Sequence, residues 1–186
     1  AIAEAPEYEV VTYRAGSRGP QALAELAGKL GLHSLGFESI HLPYAIWREI
    51  TSGLPAGLDL RPVDGVVDEL RIIKDPDELA CLQAAVDVLD RCLADVLGRL
   101  EPGLTERHVA RMIELYLIEH ADGPSFPSIV ASGHHASVPH AVPSERRIAE
   151  GEPLKLDIGA RVSGYCSDMT RTVCLGPSHD PRLVEV

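Results

Sequence analysis

The stretch LDIGARVSGYCSDMTRT, residues 156–172, constrains the chain more than any other. Two extended segments, Leu154 to Val162 and Tyr165 to Leu175, flank a turn near Val162-Ser163-Gly164. With the turn centred on Val162-Ser163, positions 157 and 168 lie opposite each other, because each pair of numbers sums to the same value. Asp157 and Asp168 then face one another on one side of a β-hairpin. Directly opposed residues have Cβ atoms about 4.5–5.5 Å apart, where like charges repel. Aspartate is also disfavoured inside strands. Three arrangements relieve such a pair: a bound divalent cation, a dyad with one carboxyl protonated, or a slipped register that separates the two. Spacing alone does not choose among them.

The segments around this hairpin read as follows. Asp75-Pro76-Asp77-Glu78 has the chemistry of a helix start: Asp at the N-cap, Pro at the first helical position, and an acid three residues after the cap. Behind it Leu79, Leu82, Val86, Leu89, Leu93, Val96 and Leu100 recur at spacings of three and four, giving one apolar stripe. A Pro102-Gly103 turn ends that helix. Thr105 caps a second, with Val109, Met112, Ile113, Tyr116 and Leu117 on its buried face. Both helices read as scaffold. Phe126 to Ala131 reads as a strand and Ser132 to Glu152 as a long connection holding three histidines. Asp180-Pro181 repeats the helix-start chemistry. Earlier in the chain come a strand at residues 8–13, a helix over Pro20 to Leu30 and a strand at Leu35 to Glu38. A short helix from Tyr44 to Ile50 and a Gly- and Pro-rich loop with an extended piece complete a small α/β pattern.

Composition narrows the function. Apolar residues make up 45% and charged residues 24%, the balance of a soluble globular protein, and aromatics at 4% leave aliphatic side chains to fill the core. The 28 acidic against 17 basic residues give a net charge of -11, which argues against nucleic acid or an anionic membrane as partner and suits cation binding. No apolar run approaches the roughly 18–20 residues that span a bilayer. The opening AIAEAPEYEV lacks an initiator Met and the n- and h-regions of a signal peptide, so the true start is expected upstream and the compartment is expected to be the cytoplasm. Cys81, Cys92, Cys166 and Cys174 form no C-x-x-C pair and read as reduced thiols. Cys81 and Cys92 read as small core residues and Cys166, which shares strand parity with Asp168, as a packing residue. His134 and His135 read as loop histidines, and Arg171 as a structural ion-pair partner.

The sequence resembles the pita-bread metallopeptidases, the superfamily of methionine aminopeptidase, Xaa-Pro aminopeptidase, prolidase and creatinase. The resemblance runs in the family's order through LRIIKDPDEL, EPGLTE, SFPSIVASGHHASVPHAVPS, GEPLKLDIGA and GYCSDMTRTVCLG, covering about residues 69–186. Its most specific part is a DxG…D-x-TRT pair at an interval of 11, with a PH motif 17 residues before the first Asp. It implies an α+β fold: the N-terminal half of a pita-bread catalytic domain at 69–186, two helices plus an antiparallel β-hairpin sheet. Residues 1–68 would be the C-terminal part of a creatinase-like α/β domain. It also implies that Asp157 chelates one metal ion, that Asp168 bridges two, and that the Thr170 hydroxyl lies beside them. His140 would contact the scissile peptide and stabilise or protonate the tetrahedral intermediate. The residues alone say less of His140: a loop histidine close before the metal strands suits proton transfer near neutral pH, but so placed it also reads as a surface residue.

Within the superfamily, the preceding α/β segment and the D-M-T-R-T form favour an Xaa-Pro aminopeptidase or dipeptidase, and keeping both aspartates argues against creatinase. The implied cofactors are two divalent ions, Mn²⁺ or Co²⁺, with Zn²⁺ also compatible. The implied substrate is a proline-containing peptide, and the implied assembly a homodimer of the full-length protein. The family's remaining ligands, a His and two Glu, come from later motifs, and only 18 residues follow Asp168. These 186 residues alone are therefore expected to be inactive, as part of a longer parent or completed by a second chain. The alternative is a half-fold or degenerate homologue serving as a non-catalytic binding protein. It is disfavoured because an exposed half-sheet would leave a large apolar face uncovered.

Overall fold

The computed structural model describes residues 9–12 and 19–178, and divides into two compact units between Ile73 and Lys74. In the first unit α1 (Gly19–Lys29), β1 (Ser34–Phe37), α2 (Tyr44–Gly53), β2 (Asp59–Pro62) and α3 (Val66–Ile72) follow in order. β1 and β2 pair in parallel with Ser34 opposite Asp59, which makes α2 the crossover of a βαβ unit. Ala24, Ala27 and Ile50 are buried. Asp64 accepts from the Ser39 amide and hydroxyl, each at 2.6 Å, tying the chain after β2 to the chain after β1. Those bonds hold its carboxyl below the usual range. Residues 9–12 form no strand, and Tyr8 and Tyr13, the ends of the strand expected there, lie outside the described residues, as does Asp180-Pro181. α3 runs through position 68, where the sequence suggested a boundary.

The second unit holds α4 (Pro76–Gly98), α5 (Glu106–His120), β3 (Ile129–Ser132), a 3₁₀ turn (Gly133–Ser137), β4 (Pro153–Ile158), β5 (Arg161–Val162), β6 (Tyr165–Cys166) and β7 (Met169–Cys174). The Asp75 carboxylate accepts from the amides of Asp77 and Glu78 at 2.9 Å, while Glu78 Oε2 accepts from the Asp75 amide at 2.8 Å, a complete capping box. Thr105 Oγ1 accepts from the His108 amide at 3.1 Å and starts α5. β3, β4 and β7 form an antiparallel sheet with β4 in the middle. Leu154, Leu156 and Ile158 of β4 point into the core, joining Leu89, Cys92 and Val96 of α4 and Val109, Ile113 and Leu117 of α5. Lys155 and Asp157 alternate onto the opposite face. The result is a two-layer α+β unit in which each fully buried Leu or Ile contributes about 1.5–3 kcal/mol. Among the described residues no helix is long and apolar enough to cross a membrane.

Three expectations are corrected. β3 begins at Ile129 rather than Phe126, in keeping with Pro127, which lacks the N–H a ladder needs. The buried face of α4 runs through Ala85, Val88, Leu89, Cys92 and Val96, leaving Leu79 and Val86 exposed. Small residues sit where the hairpin touches the helix: Ser167 Oγ donates to the Ala85 carbonyl at 3.0 Å, and the Tyr165 hydroxyl to Glu78 Oε1 at 2.8 Å. Last, the turn is centred on Ser163 (φ 50°) and Gly164 (φ 83°), the two positive φ angles that a type I′ turn demands. Val162 pairs with Tyr165, and the same register places Asp157 opposite Thr170. Asp168 is therefore displaced by two residues from Asp157 instead of facing it. The slipped register, one of the three arrangements the sequence left open, is present.

Candidate active site

Between β4 and β5, and again between β6 and β7, the ladder is interrupted, and the interruption aims Asp168. The Ser167 amide donates to the Ala160 carbonyl at 2.9 Å, and the Ala160 amide to Ser167 Oγ at 3.2 Å. Ser125 Oγ donates to the Ser167 carbonyl at 3.0 Å. A Cβ at Gly159 would collide with Ser125 Oγ and the Ser167 carbonyl, and would reach 2.7 Å from Phe126 Cε1. The glycine two residues after Asp157 is thus demanded by close backbone approach. Asp168 lies just past this crossing, exposed, in the gap before β7.

Asp157, Asp168 and His140 line one cavity of about 470 Å³, with Phe126, Pro127, Val142 and Pro143 among its walls. Asp157 is half-buried at the end of β4, and its Oδ1 accepts from Thr170 Oγ1 across the strand pair at 2.9 Å. Among the described residues neither aspartate has an arginine or lysine partner: Arg171 is exposed and donates to the Thr170 carbonyl at 2.8 Å, not to a carboxylate as expected. Diagonal neighbours across an antiparallel pair stand about 7–8 Å apart, which relieves the repulsion of a directly opposed pair and leaves room between the carboxyl groups. Two oxygen-donor groups facing one cavity without a counter-ion fit hard to borderline divalent cations. They are a partial set: among the described residues no three His, Cys, Asp or Glu side chains converge on a metal position.

His140 is exposed, in the connection between the 3₁₀ turn and β4. Lys155 Nζ donates to the carbonyls of Val138 at 2.6 Å and Pro139 at 3.3 Å, just ahead of it. That connection hides a feature the sequence did not show. Glu106, the first residue of α5, has no exposed surface. Its Oε1 accepts from the Ser132 amide at 2.7 Å and hydroxyl at 2.9 Å, and its Oε2 from the Ser144 amide at 3.1 Å and hydroxyl at 2.7 Å. His135 Nδ1 lies 2.9 Å from Oε2 and 3.1 Å from Oε1. Burial pushes this carboxyl up, and the bonds from Ser144, Ser132 and His135 overcome it, holding it at about 2. An acid in the first turn of a helix reads as a complement to the helix dipole, so only its distant partners reveal it. His135 is accordingly no free loop histidine. Beside it Arg146 forms a two-pronged bond to Glu152 at 2.5 and 2.6 Å and donates to Ser132 Oγ at 2.6 Å, which holds the Glu152 carboxyl below the usual range.

The cysteines stand apart from the site chemistry. Burial and then the charge of Asp95 push the Cys92 thiol up to about 12, so it is inert at neutral pH. Cys81 is half-buried, and Cys166 is exposed at the hairpin tip instead of packed.

Residues 80–186 match metallopeptidase family M24, and residues 1–73 match the creatinase/prolidase N-terminal domain. The chain is 37% identical over 161 residues to an uncharacterized peptidase of Bacillus subtilis, covering 86% of this chain and 45% of that protein. It is 34% identical over 151 residues to the Xaa-Pro dipeptidase of Pyrococcus horikoshii, covering 81% and 42%. The fold superposes on the Xaa-Pro dipeptidase from Bacillus anthracis with a TM-score of 0.91 at 32% identity, over 100% of this chain and 52% of that one. The chain spans about half the length of the curated relatives it matches. It belongs to metallopeptidase family M24, as the N-terminal half of a pita-bread fold behind a creatinase/prolidase-type N-terminal domain.

Proposed function

We propose that this chain is the front half of an Xaa-Pro aminopeptidase or dipeptidase, which hydrolyses the peptide bond preceding proline with two divalent cations. The observation that carries the reading is the pair of carboxylates, Asp157 and Asp168, with no arginine or lysine partner among the described residues, on the cavity that His140 also lines. The Xaa-Pro dipeptidases among the similar proteins support it. Asp157 would hold one cation and Asp168 bridge the pair, Mn²⁺ or Co²⁺ by donor type and Zn²⁺ compatibly. When bound, such cations supply an acidified water and polarise the scissile carbonyl. Thr170 holds the Asp157 carboxylate in orientation through its hydroxyl. His140 donates a hydrogen bond to the peptide nitrogen or the developing oxyanion. Apolar walls such as Phe126 and Pro143 would receive the proline ring. The remaining ligands come from polypeptide outside these 186 residues, which alone are inactive. We place the complete protein in the cytoplasm as a homodimer.

The test is hydrolysis of Xaa-Pro peptides of two, three and five residues with added Mn²⁺, comparing this chain with the complete protein that contains it. Activity in the complete protein alone, abolished by Asp168→Ala, supports the reading. No hydrolysis and no Mn²⁺ binding in the complete protein would replace it with a non-catalytic binding role.

A further inference from the structure

His140 is exposed and its ring makes no hydrogen bond among the described residues, so its place at the cavity is set by its backbone. That backbone is pinned at two distant points. Glu106 grips Ser132 and His135 at one end and Ser144 at the other. Between them residues 136–143 cross the surface with Ser137, Val138, Pro139, His140 and Val142 exposed, and only Ala141 buried. Pro139 and Pro143 bring no N–H that could anchor this span. Among the described residues, one side chain from outside the loop bonds to it: Lys155, whose ammonium donates to the Val138 and Pro139 carbonyls. Lys155 stands on β4 two residues before Asp157 and on the same face of the strand. Its stem therefore bridges the strand that carries an aspartate of the site to the peptide unit that precedes His140.

We propose that Lys155 is a positioning residue for His140, clasping the Val138–Pro139 backbone so that the imidazole stands over Asp157 and Asp168. A charged donor on two carbonyls is stronger than a neutral bond, and a displacement of about 1 Å at a reacting group can cost on the order of a hundredfold in rate. The proposal rests on the role given to His140 above, and its test separates the two.

In the complete protein, Lys155→Met is expected to lower kcat about tenfold with KM within about twofold, the loss of one charge-assisted hydrogen bond read in the rate. Lys155→Arg, which keeps a cationic donor, restores most of it. In a His140→Ala background the same Lys155→Met change costs nothing further, because the two act through one group. Losses that multiply in the double variant, or a Lys155→Met enzyme equal to wild type, would overturn the proposal. Amide hydrogen exchange at His140, Ala141 and Val142 gives a readout that needs no activity. It speeds up in Lys155→Met and not in Lys155→Arg if the clasp exists, and unchanged exchange in both sinks it. A wild-type protein without peptidase activity would overturn the reading of the reaction alone, and exchange then decides the clasp.

Discussion

Glu106 is a carboxylate with no exposed surface, kept charged by five donors from two chain segments. Each of its oxygens accepts a backbone N–H, so a glutamine there must turn its own NH₂ onto one of them. Glu106→Gln is expected to destabilise the protein by about 2–3 kcal/mol at neutral pH in urea denaturation. The folded carboxyl lies at about 2 against an ordinary 4.5, so its stabilisation is present above about 4.5 and is lost as pH falls toward 2. The gap between wild type and Glu106→Gln should therefore narrow across that window. A gap that stays constant from pH 7 to pH 3 would count against the charged network. Gly159→Ala is expected to cost about 2–4 kcal/mol in the same assay, since the new methyl overlaps the Ser167 carbonyl, which cannot move without carrying Asp168 with it. Asp157 and Asp168 stood out in the sequence as a carboxylate pair on one hairpin, whereas His140 was singled out only by the resemblance to the pita-bread metallopeptidases. Glu106 was not, since its partners lie 26 to 38 residues away and no local pattern joins them. Cys166 was read as packing because a thiolate suits a carboxylate-rich site poorly, but it ends a two-residue strand on the hairpin tip and is exposed there.

At the scale of elements, α4 serves as the platform for the hairpin. Glu78 closes the capping box with one oxygen and accepts the Tyr165 hydroxyl with the other, so helix start and hairpin share a single carboxylate. That bond raises the phenol's pKa above its ordinary value. Asp75→Ala should cost about 1–2 kcal/mol and Tyr165→Phe about 1 kcal/mol or less, both read from thermal denaturation. Equal, negligible losses would show that α4 is held by its buried face alone. Both helices were legible from capping chemistry and a period of three to four. The hairpin was legible as a hairpin but not in its register, because Val162-Ser163 and Ser163-Gly164 are adjacent two-residue turns. Only the second puts glycine where φ must be positive. That single step moves every pairing by two and turns a face-to-face aspartate pair into a diagonal one.

Over the whole molecule, the chain divides into two compact units between Ile73 and Lys74, and among the described residues the large buried cluster draws on positions from Val88 to Leu175. Residues 74–186 expressed without the first unit are therefore expected to keep a cooperative thermal transition, and a broad, non-cooperative melt would refute this. The sheet also has an internal order of assembly. β4 and β7 meet through the local reversal at Ser163-Gly164, whereas Ser167 finds the Ala85 carbonyl across 82 residues of sequence. Closing a short hairpin takes on the order of microseconds, and longer closures carry a greater entropic cost. The segments bearing Asp157 and Asp168 are thus expected to come together before the helix that supports them docks, so a cation present during folding would meet both carboxylates early.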